Sequence, residues 1–148
     1  MIISGDTSSG AAGHITIMPP SYSTVIQGTW AWTSNTNQWC GGYFGNTSHA
    51  DGDELNYKVY VSPGTYTISL CTLKNSDHGI IKVYLDGTLI LTYDCYAAVV
   101  TYNQIGSATG IIINDPGIKT LKIKIDGKNV ASTDYYMTWD YIALYLTN

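Results

Sequence analysis

Acidic and histidine side chains are the groups in this sequence that could carry out acid–base or metal chemistry. Glu54 is the single glutamate among 148 residues, so a pair of catalytic glutamates of the glycosidase kind is excluded. The three histidines, His14, His49 and His78, lie far apart in the chain and lack the close spacing of zinc ligands. The sequence also has no nucleophile elbow and no phosphate-binding loop. These absences predict a protein that is not an enzyme.

A dense acidic segment precedes a strand-like stretch. Asp51, Asp53 and Glu54 fall within four consecutive positions, separated only by Gly52. Carboxylate oxygens are the ligands that calcium prefers, so this segment could help to bind a calcium ion. The alternative is an ordinary loop that enters a strand.

Three tryptophans lie within ten residues. Trp30 and Trp32 share one face of a predicted strand over 24–33, and Trp39 follows in a polar and aromatic stretch. Aromatic faces suit the apolar face of a pyranose, so the three could form a stacking platform for glycans. Alternatively, they fill one end of the core. Just beyond them, Asn46 begins an Asn-Thr-Ser glycosylation sequon on a predicted loop.

The elements that must position these residues are strands. Apolar and polar residues alternate over 55–62, 65–70, 81–85 and 89–93, which places the apolar ones on one face of each strand. Asp86-Gly87 between two such runs indicates a tight hairpin. No convincing helix is predicted, and a second sheet is the simplest cover for the apolar face of the first. We therefore expect an all-β, antiparallel β-sandwich of the jelly-roll type with about ten strands.

The beginning of the chain differs from the rest. Residues 1–20 are predicted to be a flexible leader with a short strand, and residues 21–148 to form the sandwich domain. Ile15 and Ile17 alternate just before Pro19-Pro20, which ends the strand because proline cannot donate to a ladder. This strand is either an ordinary edge strand of the sandwich or an arm that adds to a neighbouring copy.

The last predicted strand, 136–146, is apolar on both faces. Leu144 lies on one face and Tyr145 on the other, each with apolar neighbours at alternate positions. Such a strand must be covered on both sides, by the second sheet and a loop or by a neighbouring subunit. We expect the neighbouring subunit, so Ile15, Ile17, Leu144 and Tyr145 are the predicted self-association residues.

The surface is weakly charged. Charged residues make up 12% of the chain, about half the usual share, and the net charge is −4 without any arginine. The lack of a basic cluster excludes nucleic acid and anionic lipid surfaces as partners. No segment approaches the ~18 apolar residues of a membrane span. A surface rich in Thr, Ser, Asn and Tyr is typical of extracellular or virion-associated proteins, and we expect one of these locations.

The N-terminus and the cysteines qualify that expectation. Residues 1–6 do not resemble a signal peptide, so an extracellular location would require a processed chain or release in a virion. Cys40, Cys71 and Cys95 allow at most one internal disulfide, and the pairing stays open.

Several stretches carry a shared pattern of turns and core positions. They are 48–61, 63–67, 79–87 and 121–129, followed by Ser132 and the tyrosine pair 135–136. This pattern resembles a jelly-roll module of phage tail and virion-associated proteins. It is also similar to galactose-binding-like folds, including carbohydrate-binding modules of families 6 and 35. The resemblance covers about residues 24–147 and implies the fold more than a ligand.

The same resemblance implies a structural metal. In those modules an aspartate in the last strand often helps to hold a structural calcium, and Asp140 occupies a comparable place. Asp140 therefore joins Asp51 and Asp53 as a candidate calcium ligand, and no other cofactor is expected.

Two functions fit these features. We expect a non-catalytic structural subunit that self-assembles into a fibre, filament or virion appendage through its N-terminal arm and C-terminal strand. The alternative is a carbohydrate-binding module that recognises glycans through surface aromatics. The first function implies a homo-oligomer or filament, and the second implies a glycan partner.

Overall fold

The regular structure consists almost entirely of strands. A computed structural model describes residues 2–4 and 14–147, with side chains from residue 14 onward. Residue 1, residues 5–13 and residue 148, which include half of the predicted leader, lie outside the described residues. The elements in chain order are β1 (Ile2–Ser4), β2 (Ile15–Ile17), a 3-10 helix (Pro19–Ser21), β3 (Thr24–Gln27), β4 (Trp30–Ser34), β5 (Gly42–Asn46), β6 (Glu54–Val61), β7 (Gly64–Lys74), β8 (Ile80–Leu85), β9 (Thr88–Asp94), β10 (Thr101–Ile113), β11 (Gly117–Ile125), β12 (Thr138–Trp139) and β13 (Tyr141–Leu146).

These strands form two large sheets and a small one. The β6 sheet has the order β1-β6-β11-β8-β9, with β3 also paired to β6. The β7 sheet has the order β10-β7-β13-β2, and the β5 sheet has the order β12-β5-β4. Most neighbours are antiparallel, whereas β1 runs parallel to β6. The expected all-β antiparallel sandwich is confirmed, and strands beyond the expected ten include very short ones such as β1 and β12.

Period-two alternation builds the core, as the sequence predicted. Leu55, Tyr57 and Val59 on β6 are fully buried, and so are Ile68 and Leu70 on β7. All five belong to one apolar cluster that spans the sandwich. Burial of each aliphatic side chain contributes about 1.5–3 kcal/mol, so these rows hold the sheets together.

β2 is an edge strand of the β7 sheet. Ile15 pairs with Leu144 and Ile17 pairs with Ile142 of the same chain, and both isoleucine side chains are buried. Of the two alternatives for this segment, the edge strand is therefore the observed one. The arm hypothesis is wrong, because Ile15 and Ile17 have no apolar surface left for a neighbouring copy.

The two faces of β13 differ in their burial. The strand lies between β7 and β2, and Leu144 is buried in the core. Tyr145 on the opposite face is 38% exposed, and its ring lies 4.6 Å from that of His14. β7 and β2 pair with the edges of the strand and do not cover its faces. One face packs in the core of the same chain and the Tyr145 face stays partly exposed, so the expectation that both faces must be covered is wrong. The self-association role expected for Leu144 and Tyr145 loses its physical reason.

Two further questions from the sequence are answered by the fold. Cys71 and Cys95 are buried thiols and Cys40 is an exposed thiol, so each of the three cysteines is free.

Over residues 2–4 and 14–147, no helix is both long enough and apolar enough to cross a bilayer.

We expect Ile17→Ala to lower the free energy of unfolding by about 2–4 kcal/mol, because it leaves a cavity where a fully buried side chain stood. Thr16→Ala is the matched control, since Thr16 is exposed on the same strand and its loss should change stability by less than about 0.5 kcal/mol. Urea unfolding monitored by tryptophan fluorescence measures both values. Equally small effects at the two positions would show that β2 does not belong to the core.

Candidate functional site

The β4–β5 hairpin positions the three clustered tryptophans differently. Trp30 lies opposite Asn46 and Trp32 opposite Phe44, so both indoles start from the same face of the β5 sheet. Trp30 is half-buried, stacks on Phe44 with ring centroids 6.1 Å apart, and donates its indole N–H to the Gln27 carbonyl oxygen at 3.1 Å. These contacts give Trp30 a structural role, which matches the core-filling alternative.

Trp32 lines an open, apolar cleft. Its indole is 40% exposed and lies so close to the Gly42 backbone that a Cβ there would be 2.6 Å from the ring. The cleft has a volume of about 440 Å³ and is lined by Met18, Pro20, Ser21, Trp32 and Cys40. None of these lining side chains carries a charge at neutral pH, so the cleft offers apolar contact without an ionic partner.

Trp39 projects from the loop between β4 and β5, residues 35–41, which we call the Trp39 loop. Its side chain is 66% exposed, more than any other aromatic side chain in the described residues. The backbone beneath it is fixed, because the Trp39 N–H donates to Asn103 Oδ1 at 2.8 Å. The Asn103 Nδ2 in turn donates to the Asn37 carbonyl oxygen at 2.8 Å. An exposed indole thus stands on an ordered backbone.

A buried glutamine connects this loop to the sandwich. Gln38 is 3% exposed, and its Nε2 donates to Asp140 Oδ1 at 2.7 Å. Its Oε1 accepts the backbone N–H of Asn103 at 2.7 Å. Gln38, Asn103 and Asp140 together are called the Gln38 bridge below. They join the Trp39 loop to the β10 strand and to the residue that precedes β13.

Burial dominates the electrostatics of the bridge. It raises the pKa of Asp140 from its ordinary value of 3.8 to about 6, although hydrogen bonds from Gln38, the Cys40 backbone and Cys71 oppose the rise. Burial likewise raises the pKa of Cys71 to about 12, so this residue stays a neutral thiol 3.9 Å from Asp140 Oδ2. The carboxylate is therefore surrounded by hydrogen-bond donors.

The expected calcium ligands do not come together as one metal site, although Asp53 Oδ1 is buried without a hydrogen-bond partner among the described residues. Calcium requires six to eight oxygen ligands, whereas the side-chain hydrogen-bond partners of Asp140 are the Gln38 amide N–H and the Cys71 thiol. Asp53 Oδ2 accepts hydrogen bonds from Asn46, Ser48 and the Ala50 backbone. The exposed Asp51 accepts the Gly127 N–H at 2.8 Å. Within the described part of the chain, no three acidic, histidine or cysteine side chains come together as a metal site.

The side-chain amide of the sequon asparagine is also hydrogen-bonded within the fold. Asn46 is fully buried, and its Nδ2 donates to Asp53 Oδ2 at 2.7 Å and to the Tyr135 carbonyl oxygen at 3.1 Å. Its Oδ1 accepts the Met137 backbone N–H at 2.7 Å. The predicted glycosylation at Asn46 therefore has no accessible nitrogen in the folded protein.

The residues that organise this site were not found from the sequence. Gln38 and Asn103 have no local motif, because their partners come from distant parts of the chain. In the structure Asn103 has a positive φ of 52°, a conformation that asparagine tolerates better than most residues. It lies where the pairing of β10 with β7 shifts register, between Thr101 and Gln104.

Comparisons with solved structures place this fold among known ones. No protein-family model matches the chain, and no curated protein sequence is significantly similar to it. A xanthan lyase from Paenibacillus matches 89% of this chain with a TM-score of 0.75 and 20% identity, and the chain spans 13% of that lyase. The CBM36-1 domain of a xylanase from the hindgut metagenome of Trinervitermes trinervoides matches 91% of this chain and 98% of its own length, with a TM-score of 0.63 and 14% identity. CsCBM6-3 from Clostridium stercorarium, solved with cellobiose, matches 89% of this chain and 93% of its own length, with a TM-score of 0.63 and 18% identity.

The similar structures include carbohydrate-binding modules of families 6, 35 and 36. At these identities the similarity shows a common fold, and it agrees with the resemblance to families 6 and 35. The expected self-assembling structural subunit is contradicted by these neighbours, and the strands on which it rested are buried in their own sandwich. A relation to phage tail modules stays a prediction.

Asp140→Asn should change how stability depends on pH. The raised pKa belongs to the folded state, so between about pH 4 and 6 the folded protein binds more protons than the unfolded chain. The free energy of unfolding of the wild type should therefore fall as pH rises through this range, relative to a variant that cannot titrate there. The difference should reach up to about 3 kcal/mol and level off above about pH 7.

Urea unfolding at half-unit steps from pH 4 to pH 7.5 measures this difference. The matched control is Asp115→Asn, which removes an exposed carboxylate in a turn. Parallel pH curves for the wild type and Asp140→Asn would contradict the assignment.

Proposed function

We propose that this chain is a non-catalytic carbohydrate-binding module that recognises an uncharged glycan through Trp39 and Trp32. The observation that carries the proposal is the 66% exposed indole of Trp39, held on an ordered backbone next to Cys40, which lines the Trp32 cleft. A large aromatic side chain kept ordered in water forgoes the free energy of its burial. Exposed apolar surface of this kind is typical of binding sites.

The chemistry of the two indoles suits a sugar ring. The apolar face of a pyranose can stack on the exposed face of Trp39, and the Trp32 cleft offers a second apolar contact for a neighbouring sugar. Thr36 and Asn37 are exposed in the same loop and supply a hydroxyl and an amide for the sugar hydroxyls. Trp30 acts indirectly, because it packs beneath this surface against Phe44.

The lining of the cleft favours an uncharged ligand. None of its five residues is ionised at neutral pH, so a carboxylated or sulfated sugar would find no counter-charge there. Similar modules were solved with cellobiose, xylose and xylotriose, which are neutral sugars. We therefore favour a chain of neutral β-linked sugars as the ligand, encountered outside the cell.

Affinity electrophoresis tests this proposal with hydroxyethylcellulose and soluble xylan as neutral probes and polygalacturonate as the charged one. Retardation by at least one neutral probe, and none by polygalacturonate, is the expected result. Free migration through all three gels, or retardation by polygalacturonate alone, would contradict the proposal.

Trp39→Ala should weaken binding to the retarding probe at least tenfold, since a central tryptophan commonly accounts for 2 kcal/mol or more of a binding free energy. Trp32→Ala should cause a smaller loss, because its indole is less exposed. Tyr60→Ala is the matched control, as Tyr60 is a 43% exposed aromatic residue on β6, away from the cleft. Isothermal titration calorimetry gives the three affinities. Equal losses in the Trp39 and Tyr60 variants would assign the binding to another surface.

A further inference from the structure

Both the nitrogen and the oxygen of the Gln38 side-chain amide are hydrogen-bonded to distant segments. Its amide nitrogen donates to Asp140 and its amide oxygen accepts from the Asn103 backbone, each at 2.7 Å. A buried amide that satisfies both ends in this way fixes its own rotamer and the two segments that it joins. These segments are separated by 102 and 65 positions from Gln38.

The Trp39 loop is held at two consecutive residues, Gln38 and Trp39. The side-chain amide of Gln38 donates to Asp140. The Trp39 N–H itself is bonded to Asn103. Within the loop, the Asn35 N–H donates to the Gly41 carbonyl oxygen at 2.9 Å, which closes the turn.

The position of Asp140 would suit a cation only if its neighbours were oxygens. Here the closest partner of Oδ1 is an N–H group, which presents positive charge to the carboxylate and would repel a metal ion. A hydrogen bond to an ionised carboxylate is about twice as strong as one between neutral groups, so the amide compensates part of the buried charge. The donor set around Asp140 therefore disagrees with the calcium that the fold family implies.

We propose that the Gln38 bridge orders the Trp39 loop without a metal ion, with the Gln38 amide in the position that a cation would otherwise occupy beside Asp140. The part of this inference that concerns glycan affinity rests on the proposed function. Gln38 is then a positioning residue, and Trp39 makes the contact with the sugar. Because the loop is ordered before the ligand arrives, binding does not have to bear the cost of ordering it.

Amide hydrogen exchange at Trp39 tests the metal-free order directly. In the full chain, protection of the Trp39 amide should be the same, within about twofold, in excess EDTA and in millimolar calcium. A tenfold loss of protection in EDTA, or a tenfold gain in calcium, would overturn the proposal. Neither measurement of Trp39 protection depends on whether the chain binds a glycan.

Substitution of Gln38 tests its positioning role. Gln38→Met removes both side-chain hydrogen bonds at similar volume, and it should speed exchange of the Trp39 amide at least tenfold although the Gln38 side chain is not the hydrogen-bond partner of that N–H. Gln104→Ala is the matched control, because Gln104 is a neighbouring amide on β10 that bonds only to the Tyr102 carbonyl oxygen. Unchanged protection of Trp39 in folded Gln38→Met protein would contradict the positioning role.

Asn103→Gly provides a second variant in case Gln38→Met does not fold. It keeps the positive φ but removes the side-chain bonds to Trp39 and Asn37, and Asn103 is only half-buried. Affinity for the neutral polysaccharide that retards the wild-type protein in the gels should fall at least fivefold, although the Trp39 indole is intact. Wild-type affinity in this variant would show that the ordered loop does not assist binding. If wild-type protein binds neither neutral probe, the proposed function fails, while the exchange data at Trp39 still decide the metal-free order.

Discussion

The last strand of this protein is apolar on both faces, and the rest of the structure depends on how that strand is covered. The face with Ile142 and Leu144 packs in the core together with Ile15 and Ile17 of β2, whereas the face with Tyr145 stays partly exposed. Asp140 directly precedes β13 and is fixed with it at one end of the sandwich. From there a single buried carboxylate reaches the Trp39 loop through Gln38. The packing of the core and the position of the exposed indole are therefore parts of one arrangement.

The site combines exposure with order, which usually oppose each other. An exposed seven-residue loop would lose little by fraying, yet this loop is bonded to β10 and to the start of β13 through buried partners. Polar groups buried in this way are stable only when every member of the network is satisfied. Gln38 meets that condition with both ends of its amide. The apolar cleft beside the loop adds a second surface without adding charge.

The sequence predicted the features that repeat locally and missed those that depend on distant contacts. The alternation at Leu55, Tyr57 and Val59 predicted the core because a strand shows its buried face directly in its pattern. The alternation at Ile15 and Ile17 correctly predicted a strand but not its pairing partner. A ladder within one chain and a ladder between two chains use the same backbone hydrogen bonds. Asn46 satisfies a three-residue sequon that says nothing about burial, which is set by contacts with Asp53, Tyr135 and Met137. The Gln38 bridge had no local signal, and of three candidate tryptophans only the structure could separate Trp30, which packs on Phe44, from Trp32 and Trp39.

The central claim is that a neutral glycan contacts the exposed indole of Trp39. The most direct measurement follows the indole N–H resonances of the four tryptophans by two-dimensional NMR while cellohexaose or xylohexaose is added. The account predicts saturable shifts for Trp39 and smaller ones for Trp32, while the fully buried Trp139 stays unchanged. An unchanged Trp39 signal at saturating concentrations of both oligosaccharides, or shifts confined to residues far from the Trp39 loop, would contradict it.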